Sequence, residues 1–95
     1  MAQRVIDAEL KPRGYEQLTS LATATGLSKV PVGAIGALIQ AEDQYVRWHD
    51  VIVPTANLGM TLAAGDMMWY VGSLDKIKFI ELAASAIINV SYYSL

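Results

Sequence analysis

The chain has 95 residues, no cysteine and a formal net charge of −2, which predicts one small domain without disulfides or a zinc–thiolate site. Its seven Lys and Arg residues are scattered, so we expect no nucleic-acid binding, which needs basic clusters that neutralise phosphates. No apolar run reaches the ~18–20 residues of a membrane span, and the first ten residues carry acids where a signal peptide has an apolar core, so we expect no membrane partner.

Residues 1–14 differ in composition from the rest of the chain. They hold five of the sixteen acidic or basic side chains, and they end in Lys11-Pro12-Arg13-Gly14, a turn or linker signal. Val5, Ile6 and Leu10 share one helical face, but a segment this short does not form a stable helix alone. We predict an N-terminal arm over residues 1–14 that becomes ordered on a partner, with a frayed terminus as the alternative.

From residue 15 onward, short apolar runs alternate with Gly, Pro and Asp turns, which is typical of antiparallel strands. We predict strands over residues 15–19, 35–41, 45–50, 59–63, 67–71, 76–82 and 87–93. The segments 35–41 and 45–50 flank the polar turn Glu42-Asp43-Gln44 and form the strongest predicted hairpin. The spacing predicts an all-β domain over residues 15–95, a small antiparallel β-sandwich or barrel (jelly-roll-like) of about 7–8 strands.

The chain offers little material for catalysis. His49 is the only histidine, and because neighbouring strand residues point to opposite faces, His49 and Asp50 are not expected to converge. An enzyme would need His49 and a carboxylate together in a pocket. Loop acids leave a calcium site open as an alternative, although no EF-hand spacing exists. We therefore predict a protein that is not an enzyme, with no catalytic residue, cofactor or metal ligand.

The hydrophobic fraction is 54%, above the roughly 45–50% of average soluble proteins. A small soluble chain this apolar is expected to bury surface against other subunits. The side chains predicted to contact a partner are the apolar residues of the arm and four aromatic residues: Val5, Ile6, Leu10, Trp48, Trp69, Tyr92 and Tyr93. Two alternatives for the aromatic residues, together with Tyr70, are a sugar-binding platform and ordinary core packing.

Several segments together resemble small proteins that tailed bacteriophages encode near their head and structural genes. The resemblance covers roughly residues 15–93. The segments that carry it include Ala37-Leu38-Ile39-Gln40-Ala41-Glu42, Val46-Arg47-Trp48, Pro54-Thr55-Ala56, Leu62-Ala63-Ala64-Gly65, Ile77-Lys78-Phe79-Ile80 and Asn89-Val90-Ser91-Tyr92-Tyr93.

The resemblance implies a virion structural protein. Within that class it implies a head decoration (cement) protein, a homotrimer assembled in the host cytoplasm, which binds the major capsid protein on the outer head surface and bridges capsid subunits. The predicted arm fits this role, because decoration proteins frequently clamp their neighbours with a terminal segment. The alternative is a tail, fibre or adaptor module, with glycan binding as one of its roles.

Overall fold

The structure, a computed structural model, describes residues 9–95, so Val5, Ile6 and most of the predicted arm lie outside the described residues. Eight strands make up the described part: β1 (Lys11–Leu18), β2 (Thr25–Gly26), β3 (Gly36–Glu42), β4 (Val46–His49), β5 (Met60–Leu62), β6 (Met67–Tyr70), β7 (Lys78–Glu81) and β8 (Ile87–Ser94). No helix in residues 9–95 is long and apolar enough to cross a membrane.

The strands form two separate antiparallel sheets of four. Sheet 1 has the order β1-β8-β3-β6, and sheet 2 has the order β2-β7-β4-β5. Only β4 and β5 are both consecutive in the chain and paired; every other connection crosses from one sheet to the other. This is the strand order of a jelly roll, a two-sheet sandwich. The predicted all-β sandwich with about eight strands is confirmed.

The core lies between the sheets because each long strand alternates apolar and polar residues. In β8, Ile88, Val90 and Tyr92 are fully buried, whereas the residues between them are half-buried on the outer side of sheet 1. In sheet 2, Phe79 and Val46 are likewise fully buried on the inner side. Two-residue periodicity thus assigns one face of each sheet to the core.

Strand β1 begins at Lys11, four positions before the predicted start at Tyr15. The Lys11-Pro12-Arg13-Gly14 segment is therefore paired with β8 rather than free, with a register shift between Pro12 and Gly14. A proline fits here because β1 is an edge strand, and a bulge absorbs the irregularity. Leu10, predicted to contact a partner, is half-buried beside the strand's first residue.

The predicted hairpin between residues 35–41 and 45–50 is wrong. The two strands exist, as β3 and β4, but β3 pairs with β6 and β8, whereas β4 pairs with β5 and β7. The turn between them, where Asp43 has a positive φ of 76°, carries the chain across the sandwich. The backbone groups of Ala41 instead bond Gly65 and Asp66 in the β5–β6 turn.

The two ends of the sandwich differ in their loops. At one end the connections are short and span residues 43–45, 63–66 and 82–86, with residues 19–24 between β1 and β2. At the other end three longer loops, residues 27–35, 50–59 and 71–77, meet the start of β1 and the end of β8. Loops held by a rigid sandwich are the usual place for binding surfaces.

Candidate partner-binding site

The long-loop end carries most of the exposed apolar side chains. We call this surface the apolar end; its exposed members are Val30, Val32, Ile35, Val51, Ile52, Val53, Leu58, Val71 and Leu95. Exposed apolar side chains concentrated at one end of a domain are typical of interaction sites in soluble proteins.

Val32 stands at the tip of the first of these loops and is 100% exposed. The backbone N–H of Ala34 donates to the Pro31 carbonyl oxygen at 3.2 Å, and Gly33 between them has φ of +86°. These features define a type II turn, which requires the left-handed conformation that glycine adopts freely. The turn therefore fixes an apolar side chain in solvent rather than leaving it free to fold back.

The second loop begins beside His49. The backbone N–H of Val51 donates to His49 Nδ1 at 3.0 Å, and that of Ile52 approaches the same nitrogen at 3.4 Å. His49 thereby holds the chain turn that presents Val51, which is 85% exposed. A groove of about 260 Å³ lies between this loop, Asp75 and Lys76 of the third loop, and Lys78 at the start of β7.

His49 and Asp50 lie closer than predicted, with Nδ1 and Oδ1 3.6 Å apart, because Asp50 follows the last residue of β4. The separation does not make an acid–base pair, since Nδ1 already accepts backbone protons and a neutral ring has one acceptor nitrogen. The second carboxylate oxygen of Asp50 accepts the Tyr70 hydroxyl at 2.8 Å. Burial, and then this bond, raises the pKa of Tyr70 to about 12.

The outer face of sheet 1 is the second candidate surface, and we call it the sheet face. Strand pairing aligns its side chains in two rows, which are Tyr15–Ser91–Leu38–Trp69 and Gln17–Asn89–Gln40–Met67. Neither row contains a charged residue. Tyr15 and Met67 are each 60% exposed and Trp69 is 42% exposed. A shallow depression of about 160 Å³ lies between the rows.

Asn89 organises the polar part of the sheet face. Its Oδ1 accepts the Tyr15 hydroxyl at 2.6 Å and Gln17 Nε2 at 3.0 Å. Its Nδ2 donates to Gln40 Oε1 at 3.2 Å and to Glu42 Oε1 at 2.8 Å. Asn89 therefore uses both acceptor positions and both donor hydrogens of its amide on its neighbours. Three strands share a rigid row of amides, Gln17–Asn89–Gln40, which we call the amide row.

Trp69 and Tyr93 pack together beside this row. Their ring centroids are 5.5 Å apart with a tilt of 57°. The Trp69 ring covers Gly36, where an added Cβ would lie 3.0 Å from Cζ2. Trp69 and Tyr93 therefore remain candidates for partner contact, as predicted.

One other predicted contact residue, Tyr92, is corrected to a core position, whereas Trp48 is half-buried and stays a prediction. Tyr92 is completely buried, because its side chain lies on the inward side of β8, whereas that of Tyr93 lies on the outward side. Trp48 packs against the core and meets Tyr70 edge-on at 6.0 Å. A partner that docks on the folded domain cannot touch Tyr92.

Tyr92 instead takes part in a buried polar cluster. Its hydroxyl donates to Glu16 Oε1 at 2.5 Å, and Glu16, only 3% exposed, also accepts the backbone N–H groups of Ser28 and Lys29 and the Ser28 hydroxyl. Burial by itself would raise the pKa of Glu16, but the bonds from Tyr92, Ser28 and Lys29 outweigh it and lower the pKa. The cluster ties the first long loop to β1 and β8.

In residues 9–95, no three His, Asp or Glu side chains come together as metal ligands would. Glu42, Asp43, Asp66 and Glu81 lie at or near the short-turn end.

Sequence reasoning missed the side chains that dominate both surfaces. The predicted strands leave Val32 and Val51 in connections with no role, and they include Gln17, Gln40 and Asn89 without predicting that these side chains form a row. The sequence does contain a pattern that indicates the amide row. Asn89 and Ser91 are the polar residues in the alternation of β8, which predicts that their side of the strand faces outward. The signal for the apolar loops was their composition, since Val51-Ile52-Val53 is unusual in an exposed connection.

Comparison with known proteins finds no match to this chain among family models, curated proteins or solved structures.

Proposed function

We propose that this protein is a capsid decoration protein of a tailed bacteriophage, which docks its apolar end on the outer surface of the major capsid protein. The observation that carries the proposal is the apolar end itself, where Val32 and Val51 are held almost fully in solvent by ordered turns. The resemblance of residues 15–93 to small phage structural proteins supports the choice of partner. The jelly roll agrees with it at the level of fold, since viral capsid domains use this architecture.

The charge distribution supports docking by the same end. Residues 9–95 contain Arg47 and five other basic residues, and the five lie at or near the apolar end: Lys11, Arg13, Lys29, Lys76 and Lys78. The acids Asp50 and Asp75 lie in loops at the same end and offset part of this charge. The short-turn end has the acids Glu42, Asp43 and Asp66 and no basic residue among those described. Charges at the rim of a contact steer its orientation more than they add affinity, so the basic rim would orient the apolar end toward an acidic capsid surface.

The mechanism is the burial of apolar surface across a boundary between capsid subunits. Fully burying a valine side chain contributes about 1.5–3 kcal/mol, and Val32 and Val51 start from 100% and 85% exposure. Internal DNA pressure separates capsid subunits, so a contact that spans their boundary raises the free energy of separation. Docking costs reduce the gain per copy, but a shell carries many copies.

The test is capsid binding by the doubly substituted protein V32D/V51D. Each substitution places a charge where an apolar contact is proposed, so binding to purified capsids should fall at least a hundredfold, while the melting temperature stays close to that of the parent. Tyr45→Asp is the matched control, because Tyr45 is 52% exposed but lies at the short-turn end. Equal loss of binding in Y45D and V32D/V51D would contradict docking by the apolar end.

Copy number in purified particles, measured by quantitative mass spectrometry against the major capsid protein, separates the proposal from its alternative. Hundreds of copies support a shell component, and a few copies favour a tail, fibre or adaptor module. The proposal includes a homotrimer, which light scattering of the purified protein tests.

A truncation that keeps all of β1 tests the role of the arm. Removing residues 1–14 would delete half of β1 and its pairing with β8, so the informative variant starts at Glu9. We expect this variant to fold and to bind capsids more weakly, and undiminished binding would contradict a role for the arm.

A further inference from the structure

We propose that the sheet face binds a neutral oligosaccharide, laid across the four strands of sheet 1 between Tyr15 and Trp69. This site is separate from the apolar end, and the inference does not depend on the capsid proposal. It rests on the chemistry of the two side-chain rows and on the hydrogen bonds that Asn89 makes within them.

Among residues 9–95, the amide row leaves hydrogen-bonding capacity unused. Gln17 donates to Asn89 through Nε2, and its Oε1 accepts no hydrogen bond from the described residues. Gln40 accepts from Asn89 through Oε1, which leaves its Nε2 with two donors. The row therefore presents an acceptor on one side of Asn89 and donors on the other, and a sugar hydroxyl both donates and accepts.

Aromatic rings lie on both edge strands of the sheet face. Tyr15 and Trp69 occupy these strands in the same cross-strand row, three strand spacings apart, or about 14 Å. The depression between the two rows is lined by Tyr15 together with Leu38, Gln40, Met67, Asn89 and Ser91, whereas Trp69 lies outside it. Aromatic side chains combine an apolar face with a polar tip, and the apolar C–H face of a sugar ring packs on such a surface. The row length suits a chain of a few sugar units.

The sheet face carries little charge. Both rows are uncharged, and in residues 9–95 the one carboxylate that bonds the amide row, Glu42, lies at one margin and is paired to Asn89. Two rows without a cation offer nothing to a phosphate or a sialic acid. A neutral ligand is therefore the complementary one.

A second copy of this chain fits the sheet face less well. Flat packing of two such faces would bury these polar groups of Gln17 and Gln40, and a buried polar group without a partner loses the hydrogen bonds that it makes to water. A polyol satisfies both amides without that requirement, because its hydroxyls rotate to donate or accept.

The test is isothermal titration calorimetry of the full chain with a panel of neutral oligosaccharides, namely the hexaoses of cellulose, starch, xylan and chitin. We expect binding to at least one of them, with two-dimensional NMR shifts at Gln17, Gln40 and Trp69. Trp69→Ala and Gln40→Ala should each weaken that binding by about tenfold or more, the equivalent of one good contact. Trp69→Phe, which keeps an aromatic face, should retain most of it.

The control variant is V32D/V51D, which alters the apolar end and should bind the oligosaccharide as the parent does. Lack of binding to every sugar of the panel would overturn the proposal. Binding that is unchanged in W69A and Q40A, or NMR shifts confined to the apolar end, would overturn it as well. Oligosaccharide binding together with failure to bind capsids would overturn the capsid proposal alone.

Discussion

The adjacent residues Tyr92 and Tyr93 provide a direct test of the buried polar cluster. Tyr92→Phe removes only the hydroxyl that donates to Glu16 at 2.5 Å, without changing the volume of the ring. A hydrogen bond to an ionised group contributes about 1.5–3 kcal/mol. Because Glu16 keeps its bonds from Ser28 and Lys29, the carboxylate stays satisfied, and we expect a loss of ~2 kcal/mol.

Tyr93→Phe is the matched control. Tyr93 faces outward and is half-buried, so removal of its hydroxyl should change stability by less than about 0.5 kcal/mol. For a domain of this size, ~2 kcal/mol corresponds to a melting temperature lowered by roughly 8–16 °C. Urea unfolding and calorimetry at neutral pH measure both variants.

The difference between the variants should also depend on pH. The folded structure lowers the pKa of Glu16 from 4.5, so the stability that its ionised form contributes is complete above that value. It is lost as the pH falls through the lower folded pKa. The penalty of Y92F should therefore shrink in acid. Equal destabilisation by Y92F and Y93F at neutral pH would refute the assignment of Tyr92 to this cluster.

Three further expectations concern other parts of the fold. Wild-type stability to urea should decline as the pH drops below 4.5, the ordinary pKa of Glu16, because its ionised form is favoured only in the folded state; a flat profile down to strong acid would argue against it. Asp50→Asn should move the pKa of Tyr70 from about 12 part of the way toward 10.0, seen by ultraviolet titration, since burial persists after the charge is gone; no movement would mean that Asp50 does not affect the hydroxyl. Gly36→Val should displace Trp69, whose Cζ2 lies 3.0 Å from the added Cβ position, at a cost of about 1–3 kcal/mol; unchanged stability and tryptophan fluorescence would contradict that contact.

The sequence predicts local structure in this fold better than it predicts pairing. Most strands lie within a few residues of their predicted positions because alternation and turn residues act over short distances. The partner of β3 is not encoded locally. Its predicted partner β4 follows after three residues, yet β3 pairs with β6 and β8, since the apolar faces of β3 and β4 both have to meet the core from opposite sheets.

The same contrast between local and long-range information applies to the candidate surfaces. Alternation in β8 separates Tyr92 from Tyr93, and the polar partners Asn89 and Ser91 identify which phase faces solvent. The exposure of Val32 follows from a turn and from the Glu16 cluster that anchors its loop, and those contacts join residues distant in the chain. A sequence pattern can suggest that an apolar loop is unusual, but only the assembled sandwich determines which loops share an end.

The position of β8 has a consequence for how the protein reaches its fold. β8 lies between β1 and β3 and hydrogen-bonds both, and Lys11 pairs with Ser94. Sheet 1 therefore cannot assemble during synthesis until its final strand has left the ribosome. Pairings this distant in sequence make folding slow, on a timescale of roughly milliseconds to seconds. Until then the edges of β1 and β3 that pair with β8 stay uncovered, so the nascent chain is most exposed to aggregation just before β8 arrives.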